Sequence, residues 1–248
     1  MNKSAINIFL KIPSTWIAEI VSQKEFDYIT VDMQHGLIDF QIAYQMLQVL
    51  SNSKAKTLVR VPWNTPSIVM KMLDAGANGI ICPMINSGEE ALRFVNACLY
   101  PPKGERSYGP IRAKLMGSFS TIEATNQNIL TFAMIETVDA VQNLDDIAKT
   151  RNLKGLYVGP SDLSISMGIK KIADFSNKEL LSALKLIVEK CRSYNLISAI
   201  QVYGAEEAVI ANNLGFDLVT PYNDSALISN ALTSNLDLVK IELNKNKR

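Results

Sequence analysis

Short apolar runs alternate with longer amphipathic stretches along the whole chain. Eight runs are typical of buried strands, and they cover residues 6–10, 28–31, 57–61, 79–82, 130–135, 155–158, 197–200 and 218–220. Between them, apolar residues recur at helical spacing in 40–50, 67–74, 88–99, 138–149, 178–194 and 204–213. This alternation, without a break in composition, predicts an α/β fold in which residues 1–248 form one (β/α)8 TIM barrel.

A doubly wound open sheet is the alternative arrangement for alternating strands and helices. Such sheets bind nucleotides at a glycine-rich turn that follows an early strand. No early strand of this chain is followed by that fingerprint, so the pattern favours the barrel.

Residues 100–118 interrupt the alternation. This segment is too rich in proline and glycine for a regular element, and it is longer than most connections between elements. Loops of this kind often cover or complete an active site, which is the role we expect here. The alternative is a mobile surface excursion.

Composition limits the possible functions. The 248 residues, 48% of them hydrophobic, can bury one sizeable core. A net charge of +1 gives no bulk attraction for nucleic acids or anionic membranes, and no apolar run is long enough to cross a bilayer. Cys82, Cys98 and Cys191 lie far apart and show no zinc or disulfide pattern. We therefore expect buried, reduced thiols and a cytoplasmic protein.

Two of the apolar runs end in a single carboxylate, Glu136 in one and Asp162 in the other. If the two strands are neighbours in a parallel sheet, these acids lie side by side and repel each other unless a cation lies between them. The pattern therefore predicts a divalent metal with oxygen ligands. The alternative is that each carboxylate only caps the helix that follows it.

The residues around Asp162 predict an anion site next to the metal. Ser161 is expected to be a helix N-cap, with Pro160 just before it, so that backbone N–H groups after Gly159 point outward. A metal beside an anion site suits a ligand that carries a carboxylate.

Two further strand ends carry candidate catalytic side chains. His35 is the only histidine and lies on a turn bounded by Gly36, which favours a general base over a structural role. Arg60 lies inside an apolar run, and its buried guanidinium needs a partner, either a ligand oxyanion or a structural ion pair with Asp32. Pro83, Gln201, Pro221 and Tyr222 end other runs and are candidates only for lining the pocket.

A lysine at this rim would offer a different chemistry from a metal, through a Schiff base with a carbonyl substrate. Lys56 and Lys154 precede their strands and so face the opposite rim. Lys11 alone lies near the end of a strand, where its ammonium can equally extend into solvent. We therefore expect no covalent role for a lysine.

Six motifs together resemble the HpcH/HpaI aldolases, which are metal-dependent class II pyruvate aldolases. They are DMQHG (32–36), RVPWN (60–64), LDAGA (73–77), YPPKGERSYGPIRA (100–113), MIET (134–137) and GPSDLS (159–164). The resemblance begins near Trp16 and continues to the last helix, with the motifs in the same order and at similar spacing.

The resemblance implies a barrel of the phosphoenolpyruvate/pyruvate superfamily that cleaves a 4-hydroxy-2-oxo acid to pyruvate and an aldehyde. It also implies that Glu136 and Asp162 bind Mg²⁺ or Mn²⁺. The substrate's pyruvyl carboxylate would lie against Gly159, Pro160 and Ser161, beside the metal ligand Asp162.

The same resemblance assigns three catalytic roles. His35 would be the base, and Arg60 would bind the substrate and stabilise the enolate oxygen. Asp74, from its own or a neighbouring subunit, would raise the basicity of His35. From the sequence alone, Asp74 is an ordinary residue at a helix C-terminus.

The chain departs from the family pattern at three places. Met134 replaces a glutamine that contacts substrate in some members, and Gln34 replaces a glutamate that often precedes the histidine. The first strand, 7–11, lacks the glycine and tryptophan that are common there, which puts that wall of the pocket in question.

Two other functions are compatible with these residues: a lyase or mutase of the same superfamily that acts on a 2-oxo acid or acyl thioester, and a non-catalytic barrel that binds a keto acid. The chain has all four key side chains, which argues against the non-catalytic barrel: His35, Arg60, Glu136 and Asp162.

The terminal helix, about 224–243, repeats apolar residues at helical spacing. By resemblance it would pack on a neighbouring barrel of a homo-oligomer, a trimer or hexamer, and the alternative is docking on its own barrel.

Overall fold

A computed structural model describes residues 3–117 and 119–245. Parallel strands close into a barrel in chain order, and β1 completes the ring by pairing with β8. The strands are β1 (Ala5–Leu10), β2 (Tyr28–Asp32), β3 (Lys56–Arg60), β4 (Gly79–Cys82), β5 (Leu130–Ile135), β6 (Gly155–Val158), β7 (Ile197–Gln201) and β8 (Leu218–Asn223). The predicted (β/α)8 barrel is confirmed.

Helices follow the strands and cover the outside of the barrel. They are α1 (Thr15–Ser22), α2 (Phe40–Leu50), α3 (Pro66–Asp74), α4 (Gly88–Cys98), α5 (Ile111–Leu115), α6 (Ile122–Asn128), α7 (Val138–Gln142), α8 (Leu144–Ala148), α9 (Pro160–Ser166), α10 (Lys178–Ser193), α11 (Ala205–Leu214) and α12 (Asp224–Lys245). The continuous helix predicted over 138–149 is instead divided at Asn143 into α7 and α8.

Strand β8 is longer than predicted because Pro221 does not end it. Tyr222 pairs with Ile8 and Asn223 with Phe9, after a shift in register that adds one residue to β8. A bulge of this kind accommodates a proline, which has no N–H to donate. The strand therefore carries Asn223 to the rim of the barrel.

The barrel interior contains a polar network among its apolar side chains. Thr30 Oγ1 donates to Asn7 Oδ1 at 3.0 Å, and Asn7 Nδ2 donates to Thr220 Oγ1 at 3.0 Å. The hydroxyl of Tyr157 also bonds to Thr220. All four side chains are buried, so the network satisfies polar groups that would otherwise be costly to bury.

The segment 100–118 lies at the rim opposite the strand ends. Helix α4 returns the chain to that rim, where Arg106 and Ala113 border a small cavity of about 50 Å³ beside the starts of β4 and β5. The segment also forms the unpredicted helix α5, while Ser118 lies outside the described residues. The prediction that it covers this chain's own active site is therefore wrong.

Helix α12 does not pack along its own barrel. Only Asp224, at its start, is buried, whereas apolar residues farther along are 38–67% exposed. Docking on its own barrel, the alternative considered for this helix, is therefore not observed.

Within the described residues, no helix is both long enough and apolar enough to cross a membrane. The cysteines are free and buried, as expected.

The interior network gives a test of barrel stability. Replacing Asn7 by Ala leaves the hydroxyls of Thr30 and Thr220 without their bridging partner, and a buried unsatisfied group typically costs about 1–3 kcal/mol. We expect Asn7→Ala to lower the free energy of unfolding by at least that amount in urea titrations. Tyr157→Phe keeps the Asn7 bridge and is the control. An equal or smaller loss in Asn7→Ala would contradict the role of the bridge.

Candidate active site

A pocket of about 230 Å³ opens at the carboxyl ends of the strands. Its lining comes from strand ends and the loops after them, and comprises Lys11, His35, Arg60, Met134, Gly159, Pro160, Ser161, Asp162, Gln201, Tyr203 and Asn223. A larger cavity of about 800 Å³ lies at the opposite rim and is lined by none of the predicted site residues. The smaller pocket is the candidate site because it brings most of those residues together.

Asp32 and Arg60 form a bidentate ion pair in the floor of this pocket. They are partners in the register between β2 and β3, and Arg60 Nε and Nη2 donate to the two carboxylate oxygens at 2.8 and 2.5 Å. Both side chains are buried. The structural pair considered for Arg60 is thus present. The remaining nitrogen, Nη1, lies 4.0 Å from Met134 Sδ and is the end that can meet a ligand.

Glu136 lies directly behind Gly159 in the pocket wall. A Cβ atom at Gly159 would come within 2.6 Å of Glu136 Oε2, so only glycine allows this approach. Glu136 Oε1 accepts a hydrogen bond from the Met84 backbone N–H at 2.6 Å. It does not cap α7, because Thr137 does so. The helix-capping explanation therefore does not hold for Glu136.

The electrostatics of Glu136 suit a cation. Burial raises the pKa of Glu136 above its ordinary value, and the charge of Asp162 raises it further, while the hydrogen bond from Met84 opposes both. Within the described residues, Glu136 has no salt-bridge partner, and no group of three or more His, Cys, Asp or Glu side chains forms a metal cluster. A pair of carboxylates fits a metal such as Mg²⁺, which takes few protein ligands and keeps several waters.

Helix α9 begins two residues earlier than expected. Its N-cap is Gly159 and its first residue is Pro160, so Ser161 lies inside the first turn and the prediction that it is the N-cap is wrong. Proline at the first position suits a helix start because its missing N–H has no partner there anyway. The Ser161 hydroxyl instead forms a hydrogen bond of 2.5 Å with the Tyr203 hydroxyl, which fixes it in the pocket wall.

His35 lies on the turn after β2, and its side chain is exposed to the pocket. Asp32 Oδ1 shapes this turn by accepting from the backbone N–H groups of Gln34 at 3.1 Å and His35 at 3.3 Å. Desolvation lowers the pKa of His35, the charge of Arg60 lowers it further, and Asp32 opposes the shift. A lowered pKa favours the neutral form of this imidazole.

Asp74 is not brought to this pocket. It ends α3, at the rim opposite the strand ends, where Arg106 Nη2 donates to Asp74 Oδ1 at 2.6 Å. Its side chain remains 28% exposed, whereas that of Arg106 is buried. Asp74 can therefore reach a histidine only in a neighbouring subunit, which is one of the two arrangements expected from the resemblance.

The sequence interpretation missed three residues of the pocket wall. For Lys11 the sequence indicates only a covalent role or an ammonium extended into solvent, and Tyr203 lies in a stretch without a distinct motif. The sequence does not predict Asn223 because the apolar run of β8 ends before Pro221. The signal that identifies Tyr203 is its position three residues beyond the apolar run 197–200.

With this geometry established, comparisons with known proteins define the family. The sequence model of the HpcH/HpaI aldolase/citrate lyase family matches residues 6–214. The chain belongs to this family. It is an aldolase, a carbon–carbon lyase, and the non-catalytic alternative does not apply.

The sequence similarity to individual relatives extends over nearly the full length of this aldolase. A hydroxypyruvate/pyruvate aldolase of Rhizorhabdus wittichii is 34% identical over 229 residues, which is 92% of this chain and 91% of that protein. A 2-keto-3-deoxy-L-rhamnonate aldolase of Escherichia coli is 26% identical over 238 residues, 95% of this chain and 88% of that protein. A crystal structure of a family member from Burkholderia cenocepacia superposes with a TM-score of 0.89 at 23% identity, covering 96% of this chain and 95% of the other. This last likeness shows the fold.

The lowered pKa of His35 gives a prediction for the pH dependence of the aldolase. The acid limb of kcat/KM should lie below pH 6.5, the ordinary value for histidine, because a lower pKa keeps the imidazole neutral to lower pH. His35→Ala should lower kcat/KM by about 10²- to 10⁴-fold, the usual contribution of a positioned base. A pH–rate profile of both proteins measures this. Near-full activity with the same acid limb in His35→Ala would place the base elsewhere.

Proposed function

We propose that this aldolase reversibly cleaves a 4-hydroxy-2-oxo acid into pyruvate and an aldehyde. The observation that carries the proposal is that His35, Arg60 and Asp162 line one pocket, with Glu136 directly behind Gly159. The names of the related aldolases support the same class of substrate. The reduced thiols are consistent with a cytoplasmic location.

The carboxylates of Glu136 and Asp162 would hold a divalent cation, Mg²⁺ or Mn²⁺, which prefer oxygen ligands. When bound, this cation supplies Lewis-acid stabilisation of the negative charge that develops on the substrate oxygen. The first turn of α9 would hold the carboxylate of the pyruvyl half, since the backbone N–H groups of Ser161 and Asp162 have no partner within the helix.

His35 and Arg60 would perform the proton and charge steps. In the cleavage direction, His35 accepts the proton of the C4 hydroxyl while the C3–C4 bond breaks. The aldehyde leaves as the C4 carbonyl forms, and the electron pair of the broken bond moves into the enolate of pyruvate. Arg60 Nη1 stabilises the enolate oxygen, because its other donors are fixed by Asp32. A proton returned to C3 completes pyruvate.

Metal dependence is the direct test of this assignment. Chelator should abolish pyruvate release from the hydroxy-oxo acid, and added Mg²⁺ or Mn²⁺ should restore it. Gly159→Ala should weaken Mn²⁺ binding by about 10- to 100-fold in titration calorimetry, because the new methyl group displaces Glu136 Oε2. A far-ultraviolet circular dichroism spectrum like that of wild type controls for folding.

Two results would contradict this metal-dependent mechanism. One is full activity in chelator with undiminished Mn²⁺ affinity in Gly159→Ala. The other is inactivation by borohydride that depends on pyruvate and labels Lys11, which would reveal Schiff-base chemistry.

We also propose a homo-oligomer, a trimer or hexamer, in which α12 packs on a neighbouring barrel. Residues 227–243 of this helix carry Leu232, Leu236 and Val239, which are 67%, 55% and 55% exposed. An apolar helix that leaves its own barrel needs a second surface to cover it. In the same assembly Asp74 would face a neighbour's His35, where its negative charge would oppose the lowering of the His35 pKa but is itself offset by Arg106.

Replacing exposed apolar side chains of α12 tests the oligomer without changing the barrel. We expect light scattering at micromolar concentration to give a mass of at least three chains for wild type. The double substitution Leu232→Ser with Leu236→Ser should lower that mass, because it removes two exposed apolar side chains and leaves the barrel untouched. Lys240→Ser, on the same helix, is the matched control. A monomeric wild type would refute the oligomer.

A further inference from the structure

The backbone of Lys11 is fixed at the end of β1. Its N–H donates to Asp224 Oδ1 at 2.9 Å, and its carbonyl accepts from the Leu37 N–H at 3.1 Å. Asp224 is buried and also accepts from the Ile12 N–H at 3.0 Å. The Lys11 side chain therefore starts from a rigid point on the pocket wall.

The ammonium group of Lys11 has no hydrogen-bond acceptor among the described residues. Its nearest carboxylate oxygen, Asp32 Oδ2, lies 4.0 Å away, beyond hydrogen-bond distance. Both oxygens of that carboxylate already accept from Arg60. The Lys11 side chain is 24% exposed and lines the pocket, so its donors are available to a bound molecule.

Lys11 lies across the barrel from the carboxylate pair. In a closed ring of eight strands, β1 is opposite β5, and Glu136 directly follows β5. The proposed pyruvyl site at α9 follows β6, whereas Lys11 shares its wall with Gln201 and Asn223 from β7 and β8. His35, on the turn after β2, is next to Lys11 around the ring. A substrate whose C4 hydroxyl meets His35 therefore directs its remaining carbons toward Lys11.

The polarity of this wall indicates which chemical class of ligand group it would bind. An ammonium with unused donors, beside two amide side chains, matches an oxyanion better than an apolar chain. A pocket of about 230 Å³ is small, which suits a short substituent. We propose that Lys11 is a specificity residue that binds an oxyanion, a carboxylate or a phosphate, at the far end of the aldehyde half of the substrate. This inference rests on the proposed aldolase reaction.

Matched aldehydes isolate the contribution of the oxyanion. Butanal and 4-oxobutanoate differ at the end of a four-carbon chain, and glyceraldehyde and glyceraldehyde 3-phosphate differ by one phosphate. For each pair, kcat/KM is measured in the aldol addition of pyruvate, above the acid limb of the pH profile. We compare the kcat/KM for the charged aldehyde with that for its neutral partner. The ratio of these two values cancels any general effect of a substitution on the chemistry.

Three variants complete the design. Lys11→Met keeps an unbranched side chain without the charge, and Lys11→Arg keeps the charge. Lys24→Met removes an exposed charge at the opposite rim and is the control. We expect Lys11→Met to lower the ratio for the preferred oxyanion by about 10- to 100-fold, the usual loss for a hydrogen bond to a charged group. Lys11→Arg should retain more of the ratio than Lys11→Met, and Lys24→Met should leave it at the wild-type value.

The pair with the larger change shows whether the oxyanion is a carboxylate or a phosphate. An unchanged ratio for both pairs in Lys11→Met would overturn the proposal, and so would an equal loss for charged and neutral aldehydes. If wild type consumes no pyruvate with any aldehyde, the proposed reaction is wrong. Titration calorimetry with 4-oxobutanoate and glyceraldehyde 3-phosphate then decides the role of Lys11 separately, because equal affinities in wild type and Lys11→Met would refute it.

Discussion

The ion pair between Asp32 and Arg60 is the interaction on which the site depends. A guanidinium buried at the end of β3 is tolerable only beside a carboxylate, and the neighbouring strand supplies one at the paired position. Removing one partner of such a pair typically costs about 3–5 kcal/mol, because the other charge is left buried and unpaired. The same carboxylate accepts from the turn that carries His35. One side chain therefore orients both the arginine that lines the pocket and the backbone that presents the histidine.

The strand alternation made most of the fold predictable. Buried parallel strands are nearly continuous apolar runs, and their ends identified His35, Arg60, Glu136 and Asp162 as candidates before any contact was known. Of these, three line a common pocket and Glu136 lies immediately behind its wall. Periodicity was sufficient here because each candidate lies inside an apolar run or within four residues of its end.

Other features depended on local geometry that a pattern of residue types does not contain. The apolar run predicts a strand end before Pro221, yet a bulge carries β8 onward to Asn223. Ser161 has the chemistry of an N-cap, but Pro160 begins the helix first. The position of the segment 100–118 follows from the direction in which α4 returns the chain, and its richness in proline and glycine gives no information about which rim it occupies.

Asp224 connects two parts of the protein that are far apart in the sequence. Its carboxylate accepts from the backbone at the start of α12, at Ser225, and from the backbone of Lys11 and Ile12. The direction in which the terminal helix leaves the barrel and the placement of the far wall of the pocket are thus set by a single buried anchor. In the proposed assembly, a sequence change that redirects the helix would also displace that wall, so that subunit packing and substrate preference would change together.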